Sequence, residues 1–473
     1  IYTESTRPIF ARERDWNAWD MANLWIGMLV SIAVYQVASG LIVSGMSWYQ
    51  ALFTIVLGHT LVMVFAVVLG HFGTKYGVNF PMLCKMVFGT KGMIVPSIVR
   101  GVLGCFWFGV QAWIGGQAVN AILEVFIPVW KGLGFTRYFI SFLIFWLMNV
   151  YIAASGSMAI KKLEGFAAPV LIGLSLVVIL WGLSTAGWSL GNLLSEPSLQ
   201  GDPNKNFWTL FFPALSAMIA FDGGIALSMA DFTRHCTSQK AQIIGQVAGA
   251  PLMTAYISFV GICGTAGAAF AFNEAIWEPA ILVSKFSNPF IVVFFSLFII
   301  MAVLTTNVAA NLVPPTNVLS TLFAKKLTYK QAAFIAAILA LFAQPWNALS
   351  SAHTLIFEVC GILGALLGPI SGLYVTAYLF EHRTNVDLVS LYRLDGGKYH
   401  YKNGWNLEII AIFLVATIII LVGKFVLSLK FVFDNSYVIG SIGAGLVYYI
   451  YVKAVCRDEK MAEEDVDETV TNY

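Results

Sequence analysis

The chain reads as an all-helical integral membrane protein with twelve spans, and three features of the sequence carry that reading. Apolar residues make up 59% of it and charged residues 11%, where a soluble domain carries roughly 25% charged residues. About twelve apolar runs approach or exceed the roughly 20 residues a helix needs to span a bilayer. Lys and Arg are shared unequally between the two sides. With the N-terminus inside, about 21 of the 27 fall on the inner side, which places both termini in the cytoplasm; the expected location is the plasma (inner) membrane.

The runs fall at about 22–44, 49–70, 97–124, 136–155, 166–187, 208–230, 243–271, 287–320, 331–347, 353–380, 407–429 and 434–453. Residues 1–21 are charged and lack the short apolar core and small-residue cleavage site of a signal peptide, so they read as a cytoplasmic segment. The first run, LWIGMLVSIAVYQVASG, carries Gly27 and Ser31 early. The sixth, LSAMIAFDGGIALSMADFTRH, carries Phe221, Asp222, Gly223 and Gly224 in mid-span, and paired glycines beside an acid predict a break there. Broken helices one and six, five spans apart, point to two inverted repeats around a midplane substrate site. Two unrelated flexible points are the plainer alternative.

Trp188 to Phe207, with Pro197 and Pro203, reads as the outer loop between the repeats. The remaining loops are short, so 22–380 reads as one ten-helix transport core. A cytoplasmic loop at 381–406 and two additional spans within 407–453 follow. The last stretch, 454–473, is acidic and predicts a disordered cytoplasmic tail. Gly364, Gly368 and Gly372, at steps of four, predict a close helix–helix contact.

Several classes of function lack support. A net charge of +2 without a basic face argues against a nucleic-acid partner. The six cysteines form no CxxC pair, and the histidines, His59 and His71 among them, are scattered without an HExxH motif. With no G-x-S-x-G elbow either, an intramembrane enzyme has neither nucleophile nor metal ligands. A channel would need rings of repeated polar residues. No organic cofactor is implied, and a monomer embedded in lipid is the simplest state.

Within the third run, Trp107 and Gln111 stand one helical turn apart, an indole face beside a carboxamide. Taken alone they fit an interface aromatic and a helix-bridging amide first, with a stacking platform and a hydrogen-bonding group for a flat ring as the alternative. The eighth run, MAVLTTNVAANLVPPTN, adds Thr305, Thr306, Asn307 and Asn311. A lone membrane threonine can simply bond back to a carbonyl one turn earlier. Two together, opposite carbonyls freed near Gly27, make a neutral all-oxygen cage for a hard monovalent cation. Gln111 and Asn311 both donate and accept, which matches a heterocycle with alternating C=O and N–H groups. Asp222 has three readings: a cap on a half-helix starting at Gly223, an acceptor for substrate, or a proton-coupling group.

The chain resembles the nucleobase:cation symporter family of hydantoin, allantoin, uracil and cytosine permeases. The motifs run over nearly its whole length: LWIGM, GTKYGVNFPMLCKMVFGTKG, FWFGVQAW, FAAPVL, ADFTR, TTNVAANLVPP, LLGPISG and LYRLDGGKYHYKNGWN. The resemblance implies a five-plus-five inverted-repeat core, alternating access and two extra helices. It implies a substrate stacked on Trp107 and bonded to Gln111 and Asn311. It also implies a sodium ion held by the carbonyls of Gly27, Val30 and Ala302 and the hydroxyls of Thr305 and Thr306. One departure stands out: where the family often has a Trp covering the ring's other face, this chain has Asp222, and neighbouring Phe221 is the candidate to take that stacking role. The expected function is cation-coupled import of a planar nitrogen heterocycle, with sodium as the ion and a proton as the alternative. An amine or amino-acid carrier of the same fold is the runner-up, and would show glycine-rich exposed helix ends for a carboxylate in place of the Trp107–Gln111 pair.

Overall fold

The computed structural model describes residues 7–154, 157–323 and 326–471, and among these every element longer than an isolated bridge is a helix. α1 (Ala18–Leu29) starts where the Asn17 side chain accepts from the N–H groups of Trp19 and Asp20 while Asp20 reaches back to Asn17 N. It stops before Val30. The chain turns through 59° there and resumes as α2 (Ile32–Val43), capped by the Ser31 hydroxyl. The first span is therefore broken at Val30–Ser31, three to four residues beyond Gly27.

α3 (Trp48–Tyr76) ends on Gly77 in the left-handed region, φ 70°. A short α4 (Phe80–Phe88) leads to the long α5 (Ile94–Phe126), followed by α6 (Phe135–Ala154) and α7 (Ser157–Thr185). α8 (Phe207–Leu227) corrects the expectation of a break at Gly223-Gly224: it passes both glycines as continuous helix and ends at Ser228. Gly223 is small for packing, since a Cβ there would come within 2.7 Å of the Tyr437 ring. Gly224 has open space beside it instead, on a cavity wall.

After α9 (Gln239–Phe272), the eighth run is α10 (Pro289–Asn307), a wide π turn at Val308–Leu312, and α11 (Val313–Leu322). Pro314 has no N–H to give Ala310, and the wide turn accommodates the missing bond within one continuous span. α12 (Tyr329–Leu341), α13 (Cys360–Thr376), α14 (Leu407–Val422) and α15 (Ser436–Thr471) complete the bundle. α15 continues through the acidic stretch for which composition predicts disorder, where the recurring glutamates Glu459, Glu463, Glu464 and Glu468 favour helix.

By length and apolarity, eight described helices could cross a membrane, or ten if each bent pair is one span. The shorter apolar helices Leu171–Thr185 and Tyr329–Leu341 fall on the fifth and ninth runs. α3, α8, α13 and α15 pack as one group, while α5 lies against α6 and α10. The glycine stripe acts as expected: a Cβ at Gly368 would meet the Tyr437 carbonyl at 2.5 Å, so α13 and α15 touch backbone to backbone. Outward faces carry Leu414, Val415, Ile418 and Ile419 on α14, an exposed apolar surface suited to lipid. At the other extreme, the N-terminal segment is stitched to the end of α3 by Ile9 N to Gly77 O at 2.8 Å and to the turn before α9 by Trp16 N to His235 O at 3.0 Å.

Candidate functional site

One face of α5 turns into the middle of the bundle. Arg100, Leu103, Trp107 and Gln111, spaced by three and four residues, share that face and line a cavity of about 50 Å³. Phe221, Asp222 and Gly224 of α8 stand opposite, with Thr306 of α10 and Asn311 of the π turn beside them. Met28, Ser31 and Val34, around the α1–α2 break, form a third wall. The chain thus gathers Trp107, Gln111, Phe221, Asp222 and Asn311 around one small space.

Their polar groups differ in how far the protein already satisfies them. Gln111 is buried, and among the described residues no protein group hydrogen-bonds its carboxamide. Asn311 gives its amide N–H to Asn307 Oδ1 at 3.0 Å, which leaves its own carbonyl oxygen as an acceptor. Asn307 is tied into the scaffold, donating to the Phe108 carbonyl at 3.2 Å and to Asn149 Oδ1 at 3.3 Å. One asparagine of the pair is a strut and the next is presented by it.

Asp222 lies within α8, so it caps no half-helix and that reading is overturned. Its Oδ2 faces His59 Nε2 of α3 at 3.1 Å, with both side chains almost wholly buried. His59 Nδ1 lies 2.9 Å from the Ile55 carbonyl. Phe221, the candidate cover for a stacked ring, instead rests edge-on against Trp107.

The candidate cation ligands lie next to this cavity. In an unbroken helix Ser31 N–H would bond to the Gly27 carbonyl, but it goes to Leu29 O at 2.7 Å. Val34 N–H, the regular partner of the Val30 carbonyl, goes to Ser31 Oγ at 3.3 Å. The break therefore diverts the ordinary partners of the two carbonyls in question. Thr305 and Thr306 each donate to the Ala302 carbonyl at 3.0 Å, so their hydroxyl lone pairs remain as acceptors. Val30, Ser31 and Ala302 share the wall of a neighbouring, almost wholly apolar cavity of about 190 Å³, while Thr306 lines the first one. Gly27 lies one turn earlier and lines neither.

Sequence reasoning passed over two residues of this region. His59 was one scattered histidine, and Arg100 sat just before the stretch singled out. Arg100 is buried, donating to Ser228 Oγ and to the Ala310 carbonyl, both at 3.3 Å. That carbonyl is the one Pro314 leaves without its helical partner. An ionisable side chain inside an apolar run was the available signal for both residues.

A family model described as "Permease for cytosine/purines, uracil, thiamine, allantoin" matches residues 8–440. The chain is 34% identical to the purine-uracil permease of Arabidopsis thaliana, over 97% of this chain and 79% of that one. It is 30% identical to the allantoin permease of Bacillus subtilis (strain 168), over 99% and 96%. Among solved structures it is similar to the inward-facing conformation of Mhp1, with a TM-score of 0.81 and 24% identity over 97% of this chain and 95% of that one; they share a helical architecture. These relatives are transporters rather than enzymes. The chain is a multi-pass membrane transport protein and belongs to the family of permeases for cytosine and purines, uracil, thiamine and allantoin.

Proposed function

We propose that the protein is a secondary active importer that carries a planar nitrogen heterocycle into the cytoplasm together with a cation, by alternating access. The observation that carries this reading is the convergence of Trp107, Gln111, Asp222 and Asn311 on one buried cavity beside a broken helix. An indole face supports any flat ring. An unengaged carboxamide at Gln111 and an acceptor oxygen at Asn311 suit alternating C=O and N–H groups on its edge. Asp222 adds a second acceptor, favouring a ring that also offers N–H or amino donors. The relatives named for purines, uracil and allantoin fit that description.

Sodium is the proposed coupling ion. Carbonyls of Gly27, Val30 and Ala302 with the hydroxyls of Thr305 and Thr306 offer neutral oxygen to a hard cation. The arrangement proposed around this site is twelve spans, five plus five as inverted repeats within 22–380 and two added within 407–453, with helix one broken and helix six continuous. The Lys/Arg distribution supports cytoplasmic ends, and a plasma-membrane location and a monomeric state complete the proposal.

A thermal-shift screen of the purified protein against uracil, cytosine, hypoxanthine, allantoin and a hydantoin, with and without sodium, tests this. A bound ligand stabilises by RT ln(1 + [L]/Kd), so a substrate should raise the melting temperature, and more so with sodium. No response to any of these rings, with a clear response to an amine or amino acid, overturns the reading.

A further inference from the structure

The His59–Asp222 contact has only one workable proton count. The Ile55 carbonyl can only accept, so His59 Nδ1, 2.9 Å away, carries a hydrogen. That leaves Nε2 facing Asp222 Oδ2 at 3.1 Å, and among the described residues neither atom has a hydrogen-bond partner other than what it finds in the other. With a neutral imidazole and an ionised carboxylate, two lone pairs would oppose each other in a site that water does not reach, a repulsive and unsatisfied arrangement. One added proton resolves it, as imidazolium with carboxylate or as imidazole with carboxylic acid, and the pair is then neutral overall.

The placement matters as much as the count. His59 stands on α3, and Asp222, on α8, is itself a wall of the cavity. The two helices are close here, since a Cβ at Gly58 would come within 2.5 Å of Met218. Other ionisable groups leave the pair to itself. Arg100 of α5 lines the same cavity but bonds to Ser228 and Ala310. Cys360 of α13 lies near Asp222 as a thiol. Tyr437 of α15 pairs its hydroxyl with Ser371 at 2.8 Å. Glu358, in the turn packed on α8, faces Lys424 at 3.3 Å. From α9, Gln242 and Gln246 approach α3 as neutral amides.

We propose that His59 and Asp222 form a proton-binding site on the wall of the substrate cavity, holding one proton between Nε2 and Oδ2 and exchanging it as substrate engages and leaves Asp222. The proposal rests on the reading of this cavity as the substrate site. It makes a proton a second coupled cation, beside sodium at a separate set of ligands. No bond other than that to the proton is made or broken: the proton comes from water on one side and returns to water on the other. Because Asp222 is both a wall of the cavity and a holder of the proton, proton and substrate change each other's binding by the same factor, as linkage requires.

The first test works whichever ring is the substrate. Purified wild type and the variants His59→Gln, Asp222→Asn and the double variant, each checked as monodisperse, are melted across pH 6 to 9 (a window chosen around the unperturbed histidine value of about 6.5). Above that value the unfolded chain has released the proton that the folded pair keeps, so the wild-type melting temperature should fall with rising pH. All three variants should lack that component of the slope. The same slope in wild type and in every well-folded variant overturns the proposal. A second measurement uses uracil, hypoxanthine and allantoin as probes in weakly buffered solution with a pH dye. A ring that engages Asp222 should release or take up protons on binding to wild type and not on binding to the variants. Identical proton exchange on binding in wild type and in every variant overturns the coupled proton site and leaves the substrate site standing. If no ring binds while the melting slopes differ as expected, the substrate reading fails and the proton site survives as a property of the fold.

Discussion

Phe221 rests edge-on against Trp107, their ring centres 4.8 Å apart and their planes at 67°. A flat ring sandwiched between two aromatic faces needs them about 7–8 Å apart, two contacts of about 3.5–4 Å each. Phe221 therefore occupies the place a stacked ligand would take and must swing aside to admit one. On the proposed reading the phenylalanine is a movable cover and the tryptophan the fixed platform. Trp107→Ala should abolish saturable uptake while membrane insertion and folding persist. Phe221→Ala should keep transport but weaken ligand affinity by about 0.5–1.5 kcal/mol, the size of one aromatic pairing. Radiolabelled uptake by each variant reads this out, and normal transport by Trp107→Ala would remove the platform from the mechanism.

Gln111 and Asn311 should behave alike toward ligand, and Asn307 differently from both. Each of Gln111→Ala and Asn311→Ala leaves a ligand polar group unpaired, at a cost of about 1–3 kcal/mol in binding with little change in melting temperature. Asn307 holds Asn311, Phe108 and Asn149 together, so Asn307→Ala should lower the melting temperature of the ligand-free protein as well. Isothermal titration with the ring found by thermal shift, set beside ligand-free melting curves, separates the two patterns. Equal affinities in wild type and both carboxamide variants would make those side chains purely structural.

The sequence made local facts legible and left pairings hidden. The break after Gly27 was readable because a weak stretch in a helix is a property of neighbouring residues, and the chain does turn at Val30–Ser31. Trp107 and Gln111 were readable by helical spacing, which alone places them on one wall. The Gly223-Gly224 break was misread because the same residue type serves two purposes. Loss of a side chain weakens a helix, and it also makes room for a neighbour such as Tyr437, 214 positions away along the chain (437 − 223). His59 and Arg100 were visible as ionisable residues in apolar runs, but no local pattern states that the histidine meets Asp222 or that the arginine meets a carbonyl released by a proline.

The threonine pair tests the cation reading. Thr305→Ala combined with Thr306→Val removes two hydroxyl acceptors and leaves the backbone carbonyls in place. Binding should lose its dependence on sodium while a weaker, sodium-independent affinity remains, because an ion that raises substrate affinity must itself bind more tightly when substrate is present. Substrate titrations at several sodium concentrations give the coupling directly. A wild-type affinity indifferent to sodium would assign the coupling to protons alone.

Glu278 gives a prediction in the loop between α9 and α10, clear of the spanning helices. It precedes the short helix Pro279–Ser284 and is 7% exposed. Burial pushes its carboxyl up to about 7, opposed only in part by the amide N–H that Gln117 of α5 donates to Oε2 at 3.4 Å. The ordinary value is 4.5, so between about 4.5 and 7 the folded protein holds a proton that the unfolded chain has released. The folded pKa is the higher one; hence the contribution to stability is present in full below about 4.5 and is lost as pH rises toward 7. Its size is of order 3 kcal/mol, from 1.36 kcal/mol for each pKa unit. Glu278→Gln keeps an amide in place of the neutral acid and cannot ionise. The melting-temperature difference between this variant and wild type should therefore grow in the variant's favour from pH 4.5 to 7 and level off above it. This window lies mostly below the one expected for His59 and Asp222, so the two effects separate in a single pH series. A difference that stays constant from pH 5 to 8 would mean that Glu278 is ionised throughout, and that solvent reaches it despite its burial.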